Sequence, residues 1–354
     1  MDEFFAGAEQ ALLEVVTYEA SCWLSLDPST LMPTGHFAPQ VGSAHLLDLA
    51  ANEFLEDDVN KFADLARADP PVATVLAATG GEPGRSARFR DTLEPNGFGS
   101  GDELRAVFRT GGTAWGGVIL HRHSGAFAAD DVEVIAALGP VLAEGIRAVV
   151  LAIAAGNGAV ADVPGTILLR RDDQIESSTA AAREWLAQIV EVSLEPGALP
   201  MVVAGVADRA RRGSADGFTG AARARVPLRN GGWLLVHGAP LEDDPDGRVA
   251  ITFAPTRQPD ILDLIVGTYG LSPREREIAL LVLAGLSTEE IASDAGISPY
   301  TVQDHLKSVF SKVGVHSRRE FVAEVFLRHY APQLASGQPG STMTIQLPTT
   351  PRTR

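Results

Sequence analysis

The first 80 residues arrange their apolar side chains with two different periods. In residues 3–19 these side chains recur every three or four positions, which predicts an amphipathic opening helix. Residues 20–27 form a short apolar run that ends in an Asp-Pro turn signal, which predicts a strand. Residues 44–79 return to helical spacing, and the Asp-Pro-Pro at 69–71 divides the predicted helix into two pieces.

Two adjacent strands are predicted by the apolar runs at residues 103–110 and 113–121. The Gly111-Gly112 pair between them is of the kind that closes a tight hairpin. An alanine-rich stretch at 129–155 has helical spacing and predicts a long closing helix. Helix, strand, helices, paired strands and a last helix together predict an α+β domain.

A second α+β unit is predicted in residues 163–256. Strands are expected on both sides of Arg171-Asp172-Asp173 and of Asn230-Gly231-Gly232, since Asn-Gly between apolar runs is a strong hairpin signal. A helix is predicted at 180–190, and the polar segment 209–220 is predicted to be a mobile loop.

The last third of the chain marks its own helix boundaries with polar residues. Three Ser-x-x-Glu patterns match the capping box, in which a serine oxygen and a glutamate three residues later bind each other's free backbone amides. A Ser-Pro pair starts one more helix, and glycines stand where the first three helices must stop. The serines that begin these helices are Ser272, Ser287, Ser298 and Ser317, and the glycines are Gly285, Gly296 and Gly314. Four short helices are therefore predicted.

The second and third of these helices are joined by residues 294–297, a turn short enough to make them cross steeply, as in a helix-turn-helix. On the third helix one apolar stripe faces the first two helices, and it consists of Val302, Leu306, Val309 and Val313. The side chains left facing outward are Tyr300, Gln303, Asp304, Lys307 and Ser311. Such a face on the helix after a tight turn is what enters a DNA major groove.

This region resembles the LuxR-type DNA-binding domain of bacterial transcription regulators. The resemblance is carried by 271–277, Ile291-Ala292, Thr301-Val302, His305-Leu306-Lys307, Lys312-Val313-Gly314-Val315 and Arg318. It implies that the third helix reads DNA, that Lys307 approaches bases, that Lys312 holds a phosphate and that the fourth helix pairs two subunits. The chain departs from the family where a Lys or Arg is usual, because it has Gln303 followed by Asp304.

The residues predicted to contact DNA lie on or near the third helix: Ser298, Tyr300, Thr301, Gln303, Asp304, His305, Lys307, Lys312 and Arg318. Gln303 fits a bidentate contact with adenine, whereas Asp304 fits either a cytosine amino group or a tolerated place at the groove edge. His305 is expected either to fix the helix or to meet a phosphate. The predicted dimer seam on the fourth helix consists of Val322, Val325, Phe326 and His329, although simple core packing also accounts for that stripe.

The upstream units resemble two sensory modules found in front of such DNA-binding domains. Residues 21–30, 105–122 and 126–147 resemble a GAF domain, and the strand and helix order of 163–256 resembles a PAS domain. The prediction is thus a multidomain chain with two α+β sensory domains and an all-α four-helix domain at the C-terminus. Its boundaries are 1–155 for the GAF-like domain, 160–256 for the PAS-like domain, 257–270 for a linker helix, 271–330 for the DNA-binding domain and 331–354 for a disordered tail.

Charge and composition limit the kinds of partner and environment that fit this chain. The 354-residue chain has a formal net charge of -16 and a pI near 4.9, so positive charge for DNA must be local. Residues 271–330 hold seven basic and eight acidic side chains, and the basic ones cluster on and just after the third helix. The lone Cys22 excludes an internal disulfide, and the apolar run at 148–161 is shorter than the ~20 residues of a membrane helix. We expect a cytoplasmic protein that does not enter a membrane.

The sequence lacks the common catalytic and phosphate-binding motifs. The sequence contains no phosphate-binding loop, HExxH or GxSxG, so no enzyme activity, metal or cofactor is predicted. His121 and His123 share a strand face but lack a third ligand, and a solvated strand end explains them better. The four tryptophans fit either the walls of a ligand pocket or ordinary cores, and they are Trp23, Trp115, Trp185 and Trp233.

The leading hypothesis is a dimeric, sequence-specific DNA-binding transcription regulator. Its expected partners are double-stranded DNA, a second copy of the chain, a small molecule sensed in the GAF-like or PAS-like domain, and RNA polymerase. The alternative is a signalling scaffold whose helical domain binds a protein partner rather than DNA, a reading that the acidic balance and the Gln303-Asp304 departure support.

Overall fold

The computed structural model describes residues 1–40, 43–154, 163–189, 199–213, 222–241, 244, 246–256 and 269–329. The chain divides into two compact units, the first made of most of residues 1–255 and the second containing the described residues from Thr256 onward. The predicted tail, 331–354, and the predicted linker helix, apart from residues 269 and 270, lie outside the described residues.

A five-stranded sheet organises the N-terminal part of the first unit. Its strands are β1 (Ala20–Leu26), β2 (Pro33–Phe37), β3 (Val72–Thr74), β4 (Glu103–Thr110) and β5 (Thr113–His121), in the order β2-β1-β5-β4-β3. The accompanying helices are α1 (Asp2–Leu13), α2 (Ser43–Leu55), α3 (Phe62–Leu65), α4 (Val75–Ala78) and α5 (Ala129–Ala154). Every residue of β1 and β5 is buried, because helices cover both faces of these central strands.

The paired strands β4 and β5 have the predicted bounds, and two other predictions need correction. The opening helix stops at Leu13 instead of continuing to residue 19. Helix was predicted through residues 44–79, but Val72–Thr74 form β3, which pairs antiparallel with β4. The Asp-Pro-Pro just before β3 prevents a helix from continuing, and the β-branched Val72 and Thr74 suit a strand.

A second five-stranded sheet confirms the α+β character of residues 163–256. It comprises β6 (Gly165–Leu169), β7 (Ile175–Ser178), β8 (Arg223–Pro227), β9 (Trp233–Pro240) and β10 (Val249–Pro255), in the order β7-β6-β10-β9-β8. All four neighbouring pairs are antiparallel, and the predicted turns lie between β6 and β7 and between β8 and β9. When its strands are counted from one, this sheet has the same order, 2-1-5-4-3, as the first.

The second sheet is accompanied by α6 (Ala180–Gln188) and by α7 (Met201–Arg212), which sequence patterns did not reveal. Residues 209–212 were predicted to belong to a mobile loop, but they form the last turn of α7; residues 214–220 of that loop lie outside the described residues. Nine of the twelve α7 residues are buried. Its first seven residues, Met201–Ala207, are all apolar and buried, so no polar position among them reveals a helical period.

The two sheets share a core through α7. This helix packs against α2 and β2 on one side and against β9 and β10 on the other. Met32 and Phe54, from the first sheet's half, join the same buried cluster as Val206, Ile251 and Phe253. The two predicted sensory regions are therefore parts of one compact unit, whatever their separate ancestry.

The approach between α7 and the first half is close at Gly205. A Cβ placed on Gly205 would stand 3.0 Å from Met32 Cε and 3.1 Å from Phe54 Cε2. Glycine costs helix stability but lets the helix lie against these two side chains. Gly205 thus contributes to the fold by packing rather than by backbone conformation.

A buried ion pair also joins the two halves of the first unit. The Arg225 guanidinium on β8 donates to Asp27 at the end of β1, with Nη2 to Oδ1 at 2.8 Å and Nε to Oδ2 at 3.2 Å, and its backbone N–H donates to Oδ2 at 2.7 Å. The side chains are 9% and 1% exposed. Removing one member of such a pair leaves the other as a buried, uncompensated charge.

One helix among the described residues, Ala129–Ile153 within α5, is long and apolar enough to cross a membrane by length and composition alone, with a mean hydropathy of 1.9. In the first unit α5 packs against β4, and its Ile135, Ala143 and Ile146 are fully buried. The core helix of a folded domain meets the same criteria, so length and composition do not distinguish the two roles.

The second unit is helical, as predicted. Its helices are α8 (Pro273–Leu283), α9 (Thr288–Ala295), α10 (Pro299–Val313) and α11 (Arg318–His329). Its core takes apolar side chains from every helix and from Leu271, two residues before α8. Leu271, Ile278, Val282, Ile291, Val302, Val309 and Phe321 are among those no more than 1% exposed.

We expect Asp27→Ala to lower the free energy of unfolding of the first unit by about 3 kcal/mol, because Arg225 loses its buried partner. Asp57→Ala is the matched control, since Asp57 also pairs with an arginine across the same boundary, Arg212, but is 98% exposed. That change should cost ~0–1 kcal/mol. Urea unfolding followed by tryptophan fluorescence measures both, because all four tryptophans lie in the first unit. Equal costs would contradict the structural role of Asp27.

Candidate nucleic-acid interface

Side-chain caps define the helices that build the outward face. Ser272 with Glu275 and Ser287 with Glu290 form complete capping boxes, as predicted. The third predicted box is only half formed: Ser317 Oγ accepts from the Glu320 N–H at 3.1 Å, but the Glu320 carboxylate accepts from the His316 N–H at 2.8 Å. The carboxylate has reached one residue beyond the cap, and it still binds a backbone amide next to the helix start.

The turn between α9 and α10 has the geometry that the sequence predicts. Gly296 adopts a left-handed conformation, with φ of 65°, and the Ile297 N–H returns to the Ala292 carbonyl at 3.0 Å. Two residues later Ser298 caps α10 by accepting from the Thr301 N–H at 3.1 Å, and Pro299 occupies the first helical position. The chain therefore reverses sharply and presents the start of α10 to solvent.

The predicted division of α10 into two faces is observed. Val302, Leu306 and Val309 are buried, while Val313 at the end of the stripe is half-buried. The opposite face is exposed along its length: Tyr300, Gln303, Asp304, Lys307 and Ser311. Tyr300 is 75% exposed, which is unusual for an aromatic side chain and leaves its ring free to meet a partner.

Lys307, the cation at the centre of this face, has an acidic neighbour. Its Nζ lies 3.1 Å from Asp304 Oδ1 one helical turn earlier, and both side chains are largely exposed, at 73% and 49%. An exposed pair of this kind contributes little to stability and is easily exchanged for another partner. Asp304 therefore lowers the local positive charge without fixing Lys307 in place.

Lys312, the lysine predicted to hold a phosphate, takes part in a partly buried network centred on Glu275. Lys312 Nζ donates to Glu275 Oε2 at 2.6 Å, the Ser272 N–H donates to the same oxygen at 2.7 Å, and Ser308 Oγ donates to Oε1 at 2.5 Å. Burial by itself raises the pKa of Glu275, but the hydrogen bonds from Lys312, Ser308 and Ser272 outweigh it and lower that pKa to about 2. The network ties the start of α8 to the middle and end of α10.

Arg318 has a comparable intramolecular role. Its Nη2 donates to the Val282 carbonyl in the last turn of α8, at 3.3 Å, and to the Leu286 carbonyl in the loop that follows. Arg318 therefore adds side-chain hydrogen bonds at the C-terminal end of α8, where the Val282 carbonyl also accepts from the Gly285 N–H. In the same way Arg274 donates to the Ala295 carbonyl at the end of α9.

The structure brings most of the predicted DNA-contacting residues to one surface. Ser298 and the five outward residues of α10 are exposed, and Thr301 and His305 are half-buried at its edge. Lys312 and Arg318 lie at the far end of α10 and the start of α11, where they are bound within the domain. Phosphate contact by these two cations therefore stays a prediction, and it requires their present hydrogen bonds to be shared or exchanged.

The predicted dimer seam is only partly available on the surface. Val325 is 1% exposed and belongs to the core of the domain, so in this arrangement it cannot face a second subunit. Val322 is 39% exposed and lies beside Arg319 and Ala323 in a shallow surface depression. The side chains of Phe326 and His329 lie outside the described residues. A helical stripe does not by itself tell core from seam, which is why Val325 was misassigned.

Sequence patterns missed two residues that shape this surface. Ser308 is polar and follows the outward Lys307 in the chain, yet its hydroxyl donates to Glu275 and helps to hold α10 against α8. Arg319 was counted in the local charge but not among the contacts, and it is exposed at the start of α11. Arg319 could have been found from the sequence, because it belongs to the cluster of basic residues after the third helix. No sequence pattern indicated the role of Ser308, which depends on its contact with Glu275 in the folded domain.

Comparison with known proteins identifies the helical unit. Residues 270–325 match the family model described as bacterial regulatory proteins, luxR family. The spore germination protein GerE of Bacillus subtilis is 40% identical over 55 residues, which is 16% of this chain and 74% of that protein. A putative HTH-type transcriptional regulator of Mycobacterium tuberculosis strain H37Rv is 44% identical over 62 residues, which is 18% of this chain but only 7% of that much longer protein.

Among solved structures, the VqmA dimer of Vibrio cholerae, described as a LuxR-type receptor, is similar at 19% identity. The match covers 49% of this chain and 87% of that one, with a TM-score of 0.21. That score is too low to support an inference about this chain. The relatives found by sequence match between 14% and 22% of the chain, so what is said of the upstream unit comes from its own structure.

We expect Glu275→Gln to lower the free energy of unfolding of the helical unit by about 2 kcal/mol near neutral pH. The reason is that a neutral amide is a weaker acceptor for Lys312 and Ser308 than a carboxylate. A lowered pKa stabilises the fold above the ordinary carboxyl value of about 4.3, and this contribution disappears as the pH falls towards 2. The difference between the two proteins should therefore shrink over that range.

Hydrogen exchange with mass spectrometry measures this effect, because peptides from residues 273–283 are read separately from the first unit. Glu277→Gln on the same helix is the control: its side chain is 47% exposed, and the change should alter exchange little. If the two variants exchanged alike, Glu275 would not hold α8 to α10.

Proposed function

We propose that this chain, whose residues 270–325 match the luxR family model of bacterial regulatory proteins, is a cytoplasmic, non-enzymatic regulator of transcription that reads duplex DNA with α10. The exposed polar face of α10, held after a tight turn, is the observation that carries this proposal. Tyr300, Gln303 and Lys307 offer an aromatic ring, a side-chain amide and an ammonium, which are groups suited to base edges.

Binding as a dimer is part of the proposal. Within residues 271–330 the acidic side chains outnumber the basic ones by one, and Lys307 and Lys312 both have carboxylate partners. Counterion release is the main source of non-specific affinity, so a single domain with little free positive charge should bind weakly. Two linked domains bind with a gain in effective concentration. The exposed Val322 remains a candidate for the seam, and Phe326 and His329 remain predictions.

We also propose that the first unit senses a signal, with a GAF-like half around the first sheet and a PAS-like half around the second. Support comes from the shared strand order and from the core that α7 builds between the halves. A ligand shifts such a unit only if it binds two arrangements with different affinity. RNA polymerase stays a predicted partner, since a regulator that activates transcription must reach it.

One observation supports the alternative of a protein-binding scaffold: both lysines of α10 are paired with carboxylates, Lys307 with Asp304 and Lys312 with Glu275. Selection of bound fragments from random duplex DNA by the full chain separates the two functions. An enriched sequence supports the regulator. Failure to enrich any sequence, with and without added cell extract as a source of signal, would favour the scaffold.

On a selected sequence, Lys307→Ala should weaken binding about 5- to 100-fold, the range expected for the loss of one good contact to a base. Arg170→Ala is the matched control, since it removes one exposed cation from the first unit and should leave affinity unchanged. Fluorescence anisotropy at several salt concentrations measures both. Equal affinity of the two variants would show that α10 is not the reading helix.

Asp304→Asn should strengthen binding to DNA of unrelated sequence several-fold and steepen the salt dependence by about one ion, because the loss of this carboxylate removes its repulsion of phosphate and raises the local positive charge. The ratio of specific to non-specific affinity should fall. Asp172→Asn, which neutralises an exposed carboxylate in the first unit, serves as the control. Unchanged non-specific binding would mean that Asp304 does not lower the affinity of this face for phosphate.

A further inference from the structure

A narrow cavity of about 30 Å³ lies between the first sheet and the helices that cover it. Its walls are apolar apart from Glu53 and Arg105, and they include Cys22 on β1, Phe62 on α3 and Met201 on α7. At ~10–15 Å³ for each water-sized probe, this volume admits a molecule of only a few non-hydrogen atoms. A mostly apolar enclosure with few polar groups is the usual form of a small-molecule site.

Arg105 is the unusual member of this wall. The residue is fully buried, and its Nη1 donates to Glu53 Oε2 at 2.7 Å while its Nε lies 3.1 Å from Glu103 Oε1. The ring of Phe62 packs against the guanidinium, 5.3 Å from its centre. Neither Nη2 nor Nε has a hydrogen-bond partner, but Nε has the Glu103 carboxylate as its ion-pair neighbour, whereas Nη2 has neither. Buried donors are rarely left unpaired, so this one calls for an acceptor.

The charges around Arg105 decide which kind of acceptor fits. Arg88 and Glu103 form a buried pair at 2.5 Å, and Asp58 lies 3.4 Å from Arg88. Lys61 sits beside Glu53 and donates to its backbone carbonyl at 2.8 Å. The six charged groups of this cluster, leaving His121 aside, are three cations (Lys61, Arg88, Arg105) and three anions (Glu53, Asp58, Glu103). An added anion would therefore be an uncompensated buried charge, whereas a neutral oxygen would not.

We propose that this cavity binds a small neutral molecule with one acceptor oxygen, such as a ketone or an amide, which accepts a hydrogen bond from Arg105 Nη2. The proposal gives a site and a ligand chemistry to the sensing role suggested above, and it rests on that role only for its biological meaning. None of the four tryptophans lines this cavity; all are buried, and a ligand role for them stays a prediction.

The cavity is placed to inform both halves of the first unit. Met201 closes part of its wall and is the first residue of α7, whose Val202, Val203 and Val206 belong to the core cluster of the second sheet. Because close-packed cores transmit small displacements, an occupant that pushes on Met201 changes the packing of α7. Occupancy beside the first sheet would thus be felt in the second.

Methionine methyl groups give a direct test on the full chain. The protein has four methionines, Met1, Met32, Met201 and Met343, so ¹³C-methyl labelling gives a simple spectrum. Met201 lines the cavity, and Met32, which is 2% exposed in the shared core, is an internal reference for a buried methyl group. The probes are acetone, acetate and isobutene, which have the same shape and four non-hydrogen atoms each but differ in charge and in the acceptor oxygen.

Acetone should move the Met201 resonance saturably, with smaller changes at Met32 and none at Met1 or Met343, and it should bind at least about tenfold more tightly than acetate or isobutene. Absence of a saturable Met201 shift would overturn the proposal. Equal binding of isobutene would remove the role of Arg105, and tighter binding of acetate would make this an anion site; either result also overturns it.

Two variants at one position control for folding. Cys22→Leu adds volume to the cavity wall and should abolish the acetone response, whereas Cys22→Ser keeps the volume and should retain it. Persistence of the response in Cys22→Leu would place acetone elsewhere and overturn the proposal. DNA is absent from these samples, so their outcome is independent of whether α10 reads DNA, and a failed DNA selection would leave the cavity result standing.

Discussion

The burial of α7 is the constraint on which the first unit depends. Nine of its twelve residues are buried, so without both halves this helix would expose a largely apolar surface to water. Its neighbours α2 and β2 come from one half, and β9 and β10 come from the other. Neither sheet can therefore lose its partner without exposing apolar surface, and the burial of that surface is the main force that holds the halves together.

Both units contain ion pairs between acidic and basic side chains, but these pairs differ in their exposure to solvent. In the first unit, Asp27 with Arg225 and Glu103 with Arg88 are buried, where an unmatched partner would be costly. In the helical unit, Lys307 and Asp304 are paired in solvent, where the exchange of partners costs little. The buried pairs hold the architecture, whereas the exposed pair sits where a charged partner such as DNA competes for the lysine.

The helical unit was largely predictable because its signals are local. Serine caps, left-handed glycines and the apolar stripe of α10 act over three to eleven residues, and each determines structure without long-range partners. The same locality explains the errors. Val325 shares the period of a seam but is buried in the core, and the Glu320 carboxylate binds a backbone amide one residue earlier than a capping box requires. Sequence period does not encode which neighbour a face or a carboxylate will meet.

By itself, the sequence determined the strands β4 and β5, the hairpins of the second sheet, the four C-terminal helices and the outward face of α10, because turn chemistry and hydrophobic period are written into adjacent residues. Only the tertiary structure decided that α7 is a helix, that the two sheets share its core, and that Arg105 has an unpaired nitrogen beside a cavity. These features join residues 50 to 200 positions apart, such as Asp27 and Arg225, and no local pattern records such a distance. Lys312 illustrates both kinds of information. Sequence resemblance predicts that it contacts DNA, whereas only the folded structure shows that it is paired with Glu275.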